Sequence, residues 1–371
     1  MDKEKNVFAL LIGLFLAFYF MPMDSELFTG AILSGFKLLH EYSREHVLTC
    51  LVPAFFIAGA IAVFVKKDFI LKYLGSKARR VVSYSIASIS GGVLAVCSCT
   101  VLPMFAGIRK RGAGLGPAIT FLFSGPAINI AAIFLTISVL GPGIGFSRIF
   151  LAIPLAILVG LSMQAIFREK TREGELFVEQ DSNKISVGKY PAALLMIFLV
   201  GILVVNGLQM AQSLKYGLMI AMAGLVAVIA LAKFQKETNK QWMIETWSFT
   251  KMLLPLLFIG VFIAGFVEPL LPRQVITDIV GANTIAGNLT ASIFGAFMYF
   301  STLTEIPILQ ALINKGMHSG PAVALLLAGP SLSLPNMLVV RGVLGSKKTA
   351  VYVLLVVVYS TLGGLLAGFF I

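Results

Sequence analysis

Residues 97–103 read Cys97-Ser98-Cys99-Thr100-Val101-Leu102-Pro103 and interrupt an apolar run that extends from 81 to 108. Residues 301–307 read Ser301-Thr302-Leu303-Thr304-Glu305-Ile306-Pro307 and interrupt a second run, from 287 to 314. Setting Pro103 on Pro307 shifts the chain by 204 residues, and the same ungapped shift places Gly112 on Gly316, Gly116 on Gly320 and Pro117 on Pro321. It also places Gly125-Pro126 on Gly329-Pro330 and Gly141 on Gly345. Seven coincidences at one shift point to an internal duplication. The competing explanation is chance alignment of Gly and Pro within apolar sequence. A shift of 202 lays Pro53, Phe56 and Ile57 on Pro255, Phe258 and Ile259.

Around the two breaks the chain is built for a bilayer. Of its 371 residues 58% are hydrophobic and 12% charged, too little charge to clothe a soluble protein of this size. A span needs about 20 apolar residues. Candidate spans are 7–22, 47–65, 117–137, 147–165, 190–208, 216–232, 251–270, 321–340 and 350–370. The run 7–22 follows Lys3 and Lys5 like a secretory signal, but Met21-Pro22-Met23-Asp24 is no small-residue cleavage site, so it reads as a retained first span. The net charge of +12 does not indicate nucleic acid, because the basic residues stand in short clusters between apolar runs, where they set membrane orientation. Three cysteines are too few for a disulfide framework. No Walker loop, dinucleotide fingerprint or His-Glu-x-x-His is present, and His40, His46 and His318 are scattered. No cofactor is expected.

Charge bias predicts the topology. Lys66, Lys67, Lys72, Lys77, Arg79 and Arg80 follow the second span, and the counterpart segment after 251–270 holds little more than Arg273. Arg109-Lys110-Arg111 corresponds to Ile313-Asn314-Lys315. The first repeat therefore carries its basic loops inside, and the second has the matching loops outside. This works only if 81–108 dips into the membrane and returns, with 287–314 dipping in from the other face. The basic segments 168–189 and 233–251 fall inside, and 23–46, with Asp24, Glu26, Glu41 and Glu45, falls outside. The expected fold is an all-α polytopic membrane protein with two inverted-topology repeats, about nine transmembrane helices and two re-entrant broken-helix hairpins. It divides into 1–46, a first span and external segment; 47–166, repeat 1; 167–250, a cytoplasmic linker and two connecting spans; and 251–371, repeat 2.

Irregular backbone at membrane depth is tolerated only where protein or water covers it, and transporters with inverted repeats build substrate sites from broken helices near the midplane. The breaks therefore supply the candidate site, unless Pro103 and Pro307 merely kink continuous spans. In an unwound segment Cys97 and Cys99 would face the same way and present two soft sulfurs, suited to a metal or metalloid. The plain alternative is packing, since Cys often behaves as a small hydrophobe; Cys50, near a span end, reads that way. Ser98, Thr100, Ser301, Thr302 and Thr304 could supply hydroxyl ligands or simply satisfy open backbone. Glu305 is an ionisable residue inside the membrane, which points to function: a coupling carboxylate, a partner for a cationic group or, if the hairpin tip is shallow, a solvated side chain. Pro126 and Pro330 break the spans that follow each hairpin, and with Pro103 and Pro307 they are candidate hinges. Asn129 and Ser333 occupy equivalent positions, and Asn336 follows closely.

From Cys97-Ser98-Cys99 through Pro103, Arg111-Gly112-Ala113 and Gly125-Pro126-Ala127-Ile128-Asn129, the chain resembles the predicted permease family that includes the organoarsenical efflux permeases of ArsP type. The resemblance covers roughly 45–370 and implies a many-spanning protein of the prokaryotic plasma membrane. It also implies that a trivalent organoarsenical, with cysteine thiols as natural ligands, is one candidate substrate. The second break has no cysteine, so the two hairpins alone cannot assemble a three-thiolate site. The expected function is a secondary transporter exporting a small, thiophilic solute with proton coupling. A membrane thiol–disulfide or electron-transfer protein using Cys-Ser-Cys is the alternative, and a passive channel the third reading. Partners are the lipid bilayer and a small-molecule or ion substrate, with a homo-oligomer compatible and no nucleic acid.

Overall fold

The structure is a computed structural model. It describes residues 25–64, 67–75, 78–94, 98–128, 130–167, 189–207, 211–270, 279–298 and 305–371, together with Ile12, Phe15, Tyr19 and Pro22. Every regular element among them is helical. The predicted first span, 7–22, lies almost wholly outside the described residues.

Helix α1 (Glu26–Tyr42) runs through a π-helical stretch (Ser43–Leu51) into α2 (Val52–Phe64). A short α3 (Lys67–Leu74) leads to α4 (Arg80–Leu94) and α5 (Ser98–Lys110), which fall on the two arms of the first expected hairpin. Then come α6 (Leu115–Ala127), α7 (Ile130–Leu140) and α8 (Pro142–Ile166). Helices α9 (Lys189–Gly207) and α10 (Gln212–Lys233) pack on each other and connect to the long α11 (Lys236–Val267). The second half repeats the first pattern with α12 (Ile285–Phe297), α13 (Glu305–Asn314), α14 (Ser319–Leu332), α15 (Leu334–Leu344) and α16 (Ser346–Phe370).

Among the described residues five helical stretches are long and apolar enough to span: Val47–Phe64, Pro142–Ile166, Gln212–Lys233, Lys236–Val267 and Ser346–Phe370. The bent pairs α6–α7 and α14–α15, angled 45° and 47° at their breaks, raise the number to seven. The predicted span 190–208 appears as a shorter apolar helix, Tyr190–Asn206. Hairpin arms α4 and α5, with 15 and 13 residues, are about 22 and 20 Å long at 1.5 Å per residue, short of a hydrocarbon core of about 30 Å.

Positions 204 apart behave alike. Gly112 and Gly316 both take positive φ, 95° and 103°, as do Gly141 and Gly345, 95° and 82°. Each occupies a turn that L side chains rarely adopt, which is a physical reason for glycine at both copies. Helix α6 is buried along its whole length, as is α14 from Gly320 to Leu332. Each packs between its own hairpin's first arm and its own half's last helix, and the two touch each other at the centre. A helix apolar all round belongs in such a core. The second hairpin arms are exchanged, α5 resting on α15 and α13 on α7.

The basic clusters gather at one end of the bundle. Lys110 pairs with Glu245 of α11, Arg111 Nε donates to Ile61 O at 3.3 Å, and Gly114 N donates to Leu74 O at 2.7 Å. Gly116 packs there against Gly160 of α8. At its other end α8 meets the chain terminus, where a Cβ on Gly143 would stand 2.9 Å from Ile371. Gly320, the counterpart of Gly116, packs on Gly364, close to that terminus. The turns at 112 and 316 therefore sit toward opposite ends of α8 and α16.

Candidate functional site

The break between α6 and α7 creates a chemical demand. The last carbonyls of a helix have no partner within it, and Ala127 is fully buried, where no bulk water replaces one. Arg148, on the second turn of α8, meets that demand: its Nε donates to Ala127 O at 3.1 Å. Its Nη1 donates to Thr136 Oγ1 of α7 at 3.2 Å, and the Thr136 hydroxyl in turn donates to Ala132 O at 2.6 Å. The guanidinium is thus fixed to both limbs of the bent helix.

The same Nη1 faces the carboxylate of Glu305, 2.8 Å from Oε1, with both side chains fully excluded from solvent. The contact is an ion pair without the alignment of a hydrogen bond. Arg148 Nη2 and Glu305 Oε2 are buried with no hydrogen-bond partner among the described residues. Glu305 begins α13, so the pair joins the second half's hairpin to the first half's last helix. The alternative that Glu305 sits at a shallow tip in bulk water does not fit its burial, since it is 1% exposed.

The duplicate of this arrangement is neutral. Tyr352 stands 204 residues after Arg148, and its hydroxyl donates to Ser331 O, the counterpart of Ala127 O, at 3.2 Å. Ser331 Oγ reaches Phe123 O at 3.5 Å, across the central crossing of α6 and α14. Asn336 Nδ2 donates to Pro330 O at 3.2 Å, while Asn336 Oδ1 and Ser333 Oγ have no hydrogen-bond partner among the described residues. Asn336 and Ser333 thus sit together at the second break.

Of the other predicted site residues, Cys97, Asn129, Ser301, Thr302 and Thr304 lie outside the described residues. Ser98, Cys99 and Pro307 are described as helical backbone only. Thr100 is fully buried in α5. Helix α5 runs through Pro103, so the first break lies upstream of that proline. Pro126 and Pro330 fall in the last turns of α6 and α14, just before the bends. Cys50 is buried in the π-helical stretch. No cluster of three metal-ligating side chains occurs among the described residues. An apolar cavity of about 860 Å³ lies elsewhere, between the π-helical stretch, α2, α10 and α11, lined by Leu48, Phe56, Met219, Val226 and Trp242. None of the predicted site residues lines it.

Arg148 is the residue of this candidate site that sequence pattern passes over, because a single charge disappears into the apolar span 147–165. The available signal is that it is the one ionisable side chain of that span, and such residues are costly unless paired.

Apolar helices of spanning length, two bent helix pairs and a charged pair sealed among them define a multi-pass membrane protein with a polar centre. The predicted permease family ArsP_1 matches residues 32–369, and the chain belongs to that family. It is 44% identical to UPF0718 protein MJ0584 of Methanocaldococcus jannaschii over 361 residues, which cover 94% of this chain and 99% of that one. It is 22% identical to UPF0718 protein YraQ of Escherichia coli over 287 residues, 77% of this chain and 67% of that one. No solved structure matches.

Proposed function

We propose that this chain is a secondary transporter of a prokaryotic plasma membrane, built from two inverted repeats, that moves a small solute through the junction of its halves. The observation that carries the reading is the Arg148–Glu305 pair, a carboxylate and a guanidinium buried together between the hairpin of one half and the bent helix of the other. Membership of a predicted permease family supports it. Inversion is supported by the charge bias and by the opposite placement of the turns at 112 and 316. Glu305 is the coupling group: it takes up a proton on one side and releases it on the other. A thiophilic solute such as a trivalent organoarsenical, held by Cys97 and Cys99 and moved outward, is the substrate class that the Cys-Ser-Cys sequence favours.

The test is a substrate screen on vesicles containing the pure protein, with and without a pH gradient, for wild type and Glu305→Gln. Gln keeps the shape and removes titration. Wild-type flux should accelerate with the gradient, and the variant should bind solute yet lose that acceleration. Flux with unchanged pH dependence in Glu305→Gln would move the coupling role elsewhere. Thiol oxidation without flux would favour the redox alternative.

A further inference from the structure

We infer that Arg148 is the anion-binding group of the transport site, and that the solute carries a single negative charge which replaces Glu305 on the guanidinium while Glu305 carries a proton. The inference rests on the transporter reading above but departs from its thiophilic, outward-moving solute: a proton and a monoanion that favour each other's binding cross together, in the direction of the proton gradient.

The first argument is electrostatic. An arginine stays protonated, and a buried charge left without its partner is strongly unfavourable. Arg148 is fully buried, and Glu305 is the one carboxylate that pairs with it among the described residues. Helices α7 and α14, which pack on α13, carry no ionisable side chain, and α8 carries Arg148 alone. If Glu305 takes up a proton, nothing else described on these elements compensates the guanidinium. Proton uptake and entry of a monoanion are therefore linked, each favouring the other. The complex of one proton and one monoanion moves no net charge.

The second argument is geometric. Nε and Nη1 are anchored to Ala127 O and Thr136 Oγ1 within the first half. Glu305 makes one-point contact, and Nη2 and Oε2 have no hydrogen-bond partner among the described residues. Guanidinium and carboxylate normally close a two-point fork. A fork half made leaves an N–H free for an incoming planar anion, such as a carboxylate or an oxyanion.

The third argument comes from the duplication. Tyr352 satisfies the equivalent carbonyl with a neutral hydroxyl, and the position equivalent to Glu305 is Val101, buried and apolar. Holding the bent helix does not need a charge. The guanidinium and carboxylate are extras present in one combination only, which is unexpected of packing and expected of a site.

Acetate serves as the probe, titrated calorimetrically into the purified full chain in chloride-free buffer. Wild type should bind it more tightly as pH falls. Glu305→Gln, which leaves the guanidinium permanently without a countercharge, should bind it about tenfold more tightly than wild type at neutral pH, the scale of one charge-assisted hydrogen bond, and without that pH dependence. The double variant Arg148→Tyr/Glu305→Val installs the residues that the other repeat already carries at these positions, so the fold has a precedent for them. It should bind no acetate. Acetate binding by Glu305→Gln no tighter than wild type, or retained by the double variant, overturns the inference. Acetate binding with the expected pattern but no flux in vesicles would uphold the anion site and sink the transporter reading. Gradient-driven flux that survives in Arg148→Tyr/Glu305→Val would do the reverse.

Discussion

At the residue scale the molecule turns on one guanidinium that serves two halves. Arg148→Met leaves the Glu305 carboxylate buried and unpaired, and should destabilise the protein by about 3–5 kcal/mol. The double variant Arg148→Met/Glu305→Leu removes both charges and should recover most of that loss, because a buried ion pair and an apolar pair of similar volume are often close in stability. Thermal unfolding of wild type and the two variants in one detergent checks this; a double variant no better than Arg148→Met would mean that the Ala127 carbonyl contact, not the pair, dominates. The thiols make a separate prediction. Replacing Cys97 and Cys99 by Ser keeps size and removes the soft thiolate, so transport of a thiophilic solute should be lost while unfolding is unchanged. Wild-type transport by that variant would make both cysteines packing residues. Half of the central pair was legible in the sequence. Glu305 sits at a break full of hydroxyls and announces itself, whereas Arg148 sits within the uniformly apolar span 147–165, and its partner is 157 residues away. Pairing across such a distance is decided by how helices are exchanged between halves, which local pattern does not encode.

At the scale of elements, glycines set how closely helices approach. A Cβ on Gly364 would lie 2.5 Å from Ala324 Cβ and 2.7 Å from Gly320 O, so α14 and α16 touch backbone to backbone. The equivalent pair, Gly160 and Gly116, joins α8 to α6 in the same way, with Gly116 O 2.6 Å from a Cβ on Gly160. Gly364→Ala should therefore cost about 1–3 kcal/mol, because a backbone neighbour cannot rotate away as a side chain can. Gly224→Ala is the matched control: nothing lies within 4 Å of its Cβ on α10, so it should be neutral or stabilise by up to about 1 kcal/mol through helix propensity. Equal destabilisation of both in thermal unfolding would detach the cost from close packing. The helices themselves were legible, since long apolar runs in a bilayer have helix as their available form. The place of the first break was less so. Proline withholds one N–H and so marks a weak point, but Pro103 withholds only the bond to Cys99 O, and α5 bridges it with the turns on either side.

At the scale of the whole molecule, orientation follows from where charge collects. Lys and Arg accumulate on the cytoplasmic side of membrane proteins. Lys110 is paired with Glu245 near the start of α11, Arg111 is bonded to Ile61 O at the end of α2, and Gly114 is bonded to Leu74 O at the end of α3. These contacts bring the clusters 66–80, 109–111 and 233–251 to a single end of the bundle. A protein with that end outside would reverse the rule at three clusters at once. The turn at 315 belongs to the other end: Gly320 packs on Gly364, and Gly143, at the opposite end of α8 from Gly160, lies against Ile371. Two cysteine variants test this in a background where Cys50, Cys97 and Cys99 are Ser. Arg111→Cys should react with an impermeant maleimide only from the cytoplasmic face of inverted vesicles, and the exposed Lys315→Cys only from the external face of intact cells. Labelling of both from the same side would show that one hairpin crosses the membrane instead of returning, and the inverted repeat would fall with it. Glu305 would then no longer stand at the tip of a re-entrant hairpin, and the proton route proposed for it would lose its two-sided access.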